Sequence, residues 1–128
     1  WGKLMDARLR EGIRLFNDRQ FFASHEVLET FYQDTEADNK PFLEGLIQLA
    51  AGFRMFAEFG ESKGAVRLIY QALIRFENFQ PAFLQVKVGE LCQAAEAWAK
   101  AAEAANAQPS IATVATIPKI SLQRFGLF

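Results

Sequence analysis

His25 is the only imidazole in the chain, and it stands in the run His25-Glu26-Val27-Leu28-Glu29. On a helix this spacing puts His25 and Glu29 one turn apart on one face, with Glu26 about 100° further round. A carboxylate beside an imidazole fixes its tautomer, which is how a general base is built. Glu44 and Gln48 are also one turn apart, in a stretch with little other polar surface, so they must find hydrogen-bond partners or protrude. Two readings follow. In the structural one, His25, Glu29 and Gln48 form a buried cluster that pins two helices together. In the chemical one, His25 serves as the base of a hydrolase, or joins Glu26, Glu29 and Glu44 around one divalent metal. The structural reading is preferred because no nucleophile accompanies the histidine: Ser24 points about 100° away from it, and the single cysteine, Cys92, has the character of a small core residue. No residue is assigned firmly as catalytic or as a metal ligand, His25, Glu26 and Glu29 being the candidates, and no cofactor is implied.

The elements that must position these groups are helical. Between Lys3 and Phe16, apolar Leu4, Leu9, Ile13 and Phe16 recur at helical spacing. A polar break at residues 17–20 precedes a second run to about Gln33, with Phe22, His25, Leu28, Glu29 and Tyr32 as its stripe. Pro41 opens a third helix to Phe59 that is apolar nearly all round and belongs at the centre of the fold. Gly60-Glu61-Ser62 breaks it, with Ser62 as N-cap of a fourth helix ending near Phe79, and an alanine-rich fifth helix closes at about Ala105. The pentapeptide Gly12-Ile13-Arg14-Leu15-Phe16 is echoed by Gly52-Phe53-Arg54-Met55-Phe56, which suggests two helical hairpins of tetratricopeptide-like stacking or simply the reuse of Gly and Phe in similar hairpins.

The expected fold is therefore all-α, a single bundle of about five helices in stacked antiparallel hairpins over residues 1–106. Residues 107–128 read differently. Pro109, Pro118 and a β-branched run from Ile111 to Ile120 predict an extended tail, and its apolar content predicts docking on its own domain or a partner subunit. With 128 residues, 51% of them hydrophobic, the chain has enough apolar surface for one core. A net charge of −1 offers no general attraction for nucleic acid. Residues 41–59 approach bilayer length, but Glu44, Arg54 and Glu58 would each cost roughly 2.5–3.5 kcal/mol on insertion, so no membrane span is expected. One cysteine cannot form an internal disulfide, which suits a reducing cytoplasmic compartment. The chain begins at Trp1 without an initiator Met, so a processed form, and with it a plastid location, stays open.

Three strings in order carry a resemblance: Leu15-Phe16-Asn17 followed by Phe21-Phe22-Ala23-Ser24-His25-Glu26-Val27-Leu28-Glu29; Phe42-Leu43-Glu44-Gly45-Leu46-Ile47-Gln48-Leu49-Ala50-Ala51; and Gly64-Ala65-Val66-Arg67-Leu68. Together they resemble the domain-of-unknown-function family numbered three hundred and nine, over about Gly12 to Leu73. The resemblance implies a bundle of stacked helical hairpins with His25, Glu26, Glu29, Gly45 and Gln48 at motif positions, and it implies no established activity. Two departures stand out: Phe31-Tyr32 replaces a usual Trp, and Arg54-Met55 replaces a frequent His, which weakens the metal and catalytic alternatives. The expected function is a noncatalytic module whose exposed aromatic groove binds a protein segment or a second copy of the chain. Arg14, Arg54 and Arg67 are the candidates to orient acidic groups at its rim.

Overall fold

A computed structural model describes residues 4–124, and all of its regular structure is helical: α1 (Ala7–Asn17), α2 (Phe21–Asp34), α3 (Lys40–Phe59), α4 (Ser62–Phe76), α5 (Val88–Ala105) and a single turn, α6 (Ile111–Ala115). Each of the first four packs on the next in sequence. This is the helical bundle expected from the periodicity. No helix among the described residues is long and apolar enough to cross a membrane.

α1 starts later than its apolar spacing predicts. The Asp6 carboxylate accepts a hydrogen bond from the Arg8 backbone N–H at 2.8 Å and so caps the helix, which leaves Leu4 outside it and exposed. In α2 the buried stripe is Phe21, Ser24, Leu28 and Phe31, not the expected one through Phe22, His25 and Tyr32. Two adjacent phenylalanines offer the same burial payload on faces about 100° apart, and packing on α1 selects Phe21. Ser24 is carried into that interface, where its hydroxyl donates to the Gly12 carbonyl oxygen at 2.7 Å. Phe22, His25 and Glu29 are turned to the partly exposed flank.

α3 is the axle of the bundle, as its nearly unbroken apolar surface requires. Near its start, Phe42 meets the rings of Phe76, Phe79 and Phe83 at centroid distances of 5.6, 5.6 and 5.2 Å. Towards its end, Phe53 meets Phe16, Phe21 and Trp98 at 5.8, 5.9 and 5.1 Å. The echoed pentapeptide has a packing counterpart, since the glycine of each copy faces the following helix of its own hairpin. A Cβ on Gly12 would fall 2.6 Å from Leu28 Cδ2, and one on Gly52 would fall 3.2 Å from the Ala65 carbonyl oxygen.

Gly60, at φ 67°, makes the left-handed turn between α3 and α4. Ser62 does not cap α4 as expected: it is the first helical residue, and its hydroxyl donates to the Ala107 carbonyl oxygen at 2.6 Å, tying α4 to the end of α5. The tail is not wholly extended either. Ser110 and Thr113 form a reciprocal capping box that starts the turn of α6, a local hydrogen-bond gain that overrides the β-branched preference of Ile111 to Val114. Beyond it, Ile117 and Ile120 are buried and the Asn17 side-chain amide clamps the Ile120 backbone through both of its polar atoms, at 3.0 and 2.7 Å. Trp98 Nε1 donates to Thr116 Oγ1 at 3.0 Å, and Leu122 bridges to Val86. Phe125, Leu127 and Phe128, counted in the expected apolar tail, lie outside the described residues.

Candidate functional site

α2 and α3 lie side by side, and their common flank carries most of the residues that the sequence singles out. His25 Nε2 stands 3.7 Å from Glu29 Oε1, beyond hydrogen-bond range and an ion pair only when the ring is protonated. Its Nδ1 is buried with no hydrogen-bond partner among the described residues. Gln48 does not join them. Its Oε1 instead accepts from Arg75 Nε at 2.9 Å, so the expected His25, Glu29 and Gln48 cluster is divided.

The closed polar network lies one step along α3 and draws on α2 and α4. Tyr32 donates its hydroxyl to Glu44 Oε1 at 2.8 Å, and Arg75 Nη1 holds Glu44 Oε2 at 2.6 Å. The hydrogen bond to Glu44 holds the Tyr32 phenol above its ordinary pKa. Lys40 Nζ sits 4.3 Å from the Tyr32 ring centroid and donates to the Tyr32 carbonyl oxygen at 2.6 Å. Tyr32, Glu44, Arg75 and Gln48 therefore fasten α2, α3 and α4 together, and both carboxylate oxygens of Glu44 are spent in doing so. Sequence reasoning missed Arg75 and Tyr32 as the partners of Glu44 and Gln48. Tyr32 was placed on the correct helix, but nothing local marks Arg75, which is 27 residues from Gln48.

The other candidates scatter. Glu26 is exposed on the outer side of α2. Gly45 is buried, and a Cβ there would meet Phe76 Cε1 at 2.6 Å, so it is a point of close helix approach. Among the described residues no three His, Cys, Asp or Glu side chains converge on a point that could hold a metal, so His25, Glu26, Glu29 and Glu44 do not form the ligand set considered above. The depression bounded by Glu29, Tyr32, Glu44 and Gln48 encloses about 180 Å³, below the roughly 300 Å³ at which small-molecule pockets begin. Cys92 is half-buried on α5, and burial, reinforced by Glu96, pushes its thiol up to about 11. At pH 8 its thiolate fraction is correspondingly small, so iodoacetamide is expected to alkylate Cys92 at least about tenfold more slowly than glutathione at the same pH. A rate equal to that of glutathione, followed by mass spectrometry of the intact protein, would contradict this environment.

The three arginines proposed for a rim have different fates. Arg14 is taken up by Glu11 at 2.7 Å and Asp18 at 3.0 Å, and Arg67 is exposed on α4. Arg54 is on the α2/α3 flank. Its Cζ lies 4.3 Å from the ring centroid of Phe22 and 5.0 Å from that of Phe59, and its Nε donates to Glu58 at 2.8 Å. Both rings are open to solvent, Phe22 by 44% and Phe59 by 59%. Sequence reasoning named Arg54 and Phe22 but not Phe59, whose position at the last turn of α3 leaves it largely exposed.

No curated protein matches the chain. Residues 9–68, which run from α1 into the first half of α4 and include His25, Glu44, Gly45, Gln48 and Arg54, match the family model described as Domain of unknown function (DUF309), so through that stretch the chain is similar to this family.

Proposed function

We propose that the chain is a noncatalytic interaction module, which holds an acidic segment of another protein on the flank between α2 and α3. The observation that carries this reading is the guanidinium of Arg54 lying against the exposed rings of Phe22 and Phe59. Cation–π contact with two rings presents a planar fork without the usual rotamer cost, and its two terminal nitrogens have no hydrogen-bond partner among the described residues. A carboxylate is the matching acceptor, and apolar side chains on either side of it would cover the rings. The partner segment is therefore one that alternates acidic and aliphatic residues.

Catalysis has less support. Glu44 is fully engaged, Glu29 stands 3.7 Å from His25, and the hydroxyl of Ser24 is committed to the Gly12 carbonyl in the core.

The test is a titration of 15N-labelled protein with an acetylated peptide alternating Leu and Asp, beside the same peptide with Asn for Asp. The Asp peptide is expected to shift amide signals of residues 20–26 and 51–60 saturably, and Arg54→Gln is expected to weaken it about tenfold, the equivalent of roughly 1.4 kcal/mol for one charged hydrogen-bonded contact. Equal binding of the Asn peptide, or shifts elsewhere on the surface, would reject the reading. So would concentration-dependent dimerisation through the same signals, which would give the flank to a second copy of the chain.

A further inference from the structure

A depression of about 800 Å³ opens where the α1–α2 turn and the end of α3 face the α6 turn of the tail. It exists because the tail is held off at both ends. Pro109 and the Ser110 capping box turn the chain away from α5, and Asn17 and Arg19 catch it again further on. Arg19 takes a left-handed backbone, φ 66°, which directs its side chain to the tail, where Nη2 donates to the carbonyl oxygens of Ala115 at 3.1 Å and Ile117 at 2.5 Å.

The walls combine two kinds of chemistry. Ala57, Pro109, Ile111 and Val114 supply apolar surface, and Ile111 is 94% exposed. Arg19 and Lys119 supply positive charge. Lys119 has no acidic partner among the described residues, whereas Asp18, the one acid on the wall, is already held by Arg14 at 3.0 Å. Among the described residues Arg19 is balanced by carbonyl dipoles alone, and its Nη1 is buried without an acceptor. Desolvation with no carboxylate to offset it pushes the Arg19 guanidinium below its ordinary pKa, so an anion placed in the cavity would lower the energy of a charge that the fold leaves uncompensated.

We infer that this cavity binds a small amphiphilic carboxylate, with its carboxylate at Lys119 in the field of Arg19 and its hydrocarbon part on Ile111, Val114 and Ala57. The space is a broad depression open to solvent, with room for a small ligand lying along its wall. Charge orients the ligand and apolar cover supplies affinity, so neither half is sufficient alone.

The experiment is a titration of the 15N-labelled protein with hexanoate, beside 1-hexanol, hexylammonium and inorganic phosphate at matched ionic strength. Hexanoate is expected to shift the amide signals of residues 109–119 and Arg19 saturably, and the other three are not. Lys119→Gln and Ile111→Ser, both at exposed side chains, are expected to raise the hexanoate Kd about tenfold and about threefold while leaving the circular dichroism spectrum and the urea midpoint unchanged. Arg19→Gln is left aside because it would also release the tail. Equal response to 1-hexanol, response to phosphate as strong as to hexanoate, or an unchanged Kd in Lys119→Gln would each overturn the inference.

Discussion

Phe53→Ala is expected to lower the stability of the chain by about 3–5 kcal/mol, the usual cost of emptying a fully buried aromatic site. A domain of this size is stable by only about 5–15 kcal/mol, so one side chain carries a large share of the total. The reason lies in what the ring touches. Phe53 is edge-on to Phe16 of α1 (interplanar angle 74°) and to Trp98 of α5 (79°), and it is tilted against Phe21 of α2 (34°). These rings come from three helices besides its own and bound its site on several sides, so the cavity left by alanine cannot close by a single rotamer change. Trp98 also packs on Phe56 at 4.9 Å and donates to Thr116, which couples the vacancy to the seating of the tail. In urea unfolding followed by circular dichroism the midpoint should fall with little change in slope, and the thermal midpoint should drop by roughly 10–20 °C. Phe59→Ala is the internal comparison, because that ring is 59% exposed and its loss should stay within about 0.5 kcal/mol. A Phe53→Ala variant as stable as Phe59→Ala would mean that the four helices do not meet at this ring.

How far the sequence reaches depends on whether a signal is local. α3 was legible because an apolar stretch from Phe42 to Phe56 can be satisfied only by burial on all sides, whatever surrounds it. α2 as a helix was legible from periodicity, but its inward face was not. Phe21 and Phe22 are equivalent by composition, and the choice between them is made by packing on a different helix, α1, where Phe21 meets Phe16 and Ser24 meets Gly12. The same limit separates the expected polar cluster from the one observed. One-turn spacing correctly marks Glu44 and Gln48 as groups in need of partners, yet it would pair Gln48 with His25, whereas Arg75 arrives from α4 to take both. In the tail, β-branched side chains argued for extended backbone while the Ser110 and Thr113 side chains decided for a helical turn. The sequence signal was present there but weighed less than the propensity of the residues between.

Gly45 gives the second large effect, and it separates packing from ligand binding at a position of the resemblance. In the middle of a helix, alanine is favoured over glycine by up to about 1 kcal/mol, so an unobstructed Gly45→Ala would be stabilising. Here the new Cβ would lie 2.6 Å from Phe76 Cε1 and 3.0 Å from its Cδ1 and Cζ. Phe76 has no free space to yield, since it is 0% exposed and backed by the Phe42 ring at 5.6 Å, which is itself enclosed by Phe79 and Phe83. Overpacking of this kind costs roughly 1–3 kcal/mol and outweighs the propensity gain, so Gly45→Ala is expected to destabilise by up to about 2 kcal/mol. The decisive comparison is a double-mutant cycle with Phe76→Leu, whose shorter side chain withdraws the ring atoms from the clash. In that background Gly45→Ala should be neutral or stabilising by up to about 1 kcal/mol, a coupling of at least about 1 kcal/mol between the two positions. Additive effects would show that Phe76 is not what requires a glycine at residue 45. If the coupling is found, the glycine is a packing requirement of the α3–α4 hairpin, and a search for bound ligands should start from Arg54 and from the cavity beside Lys119.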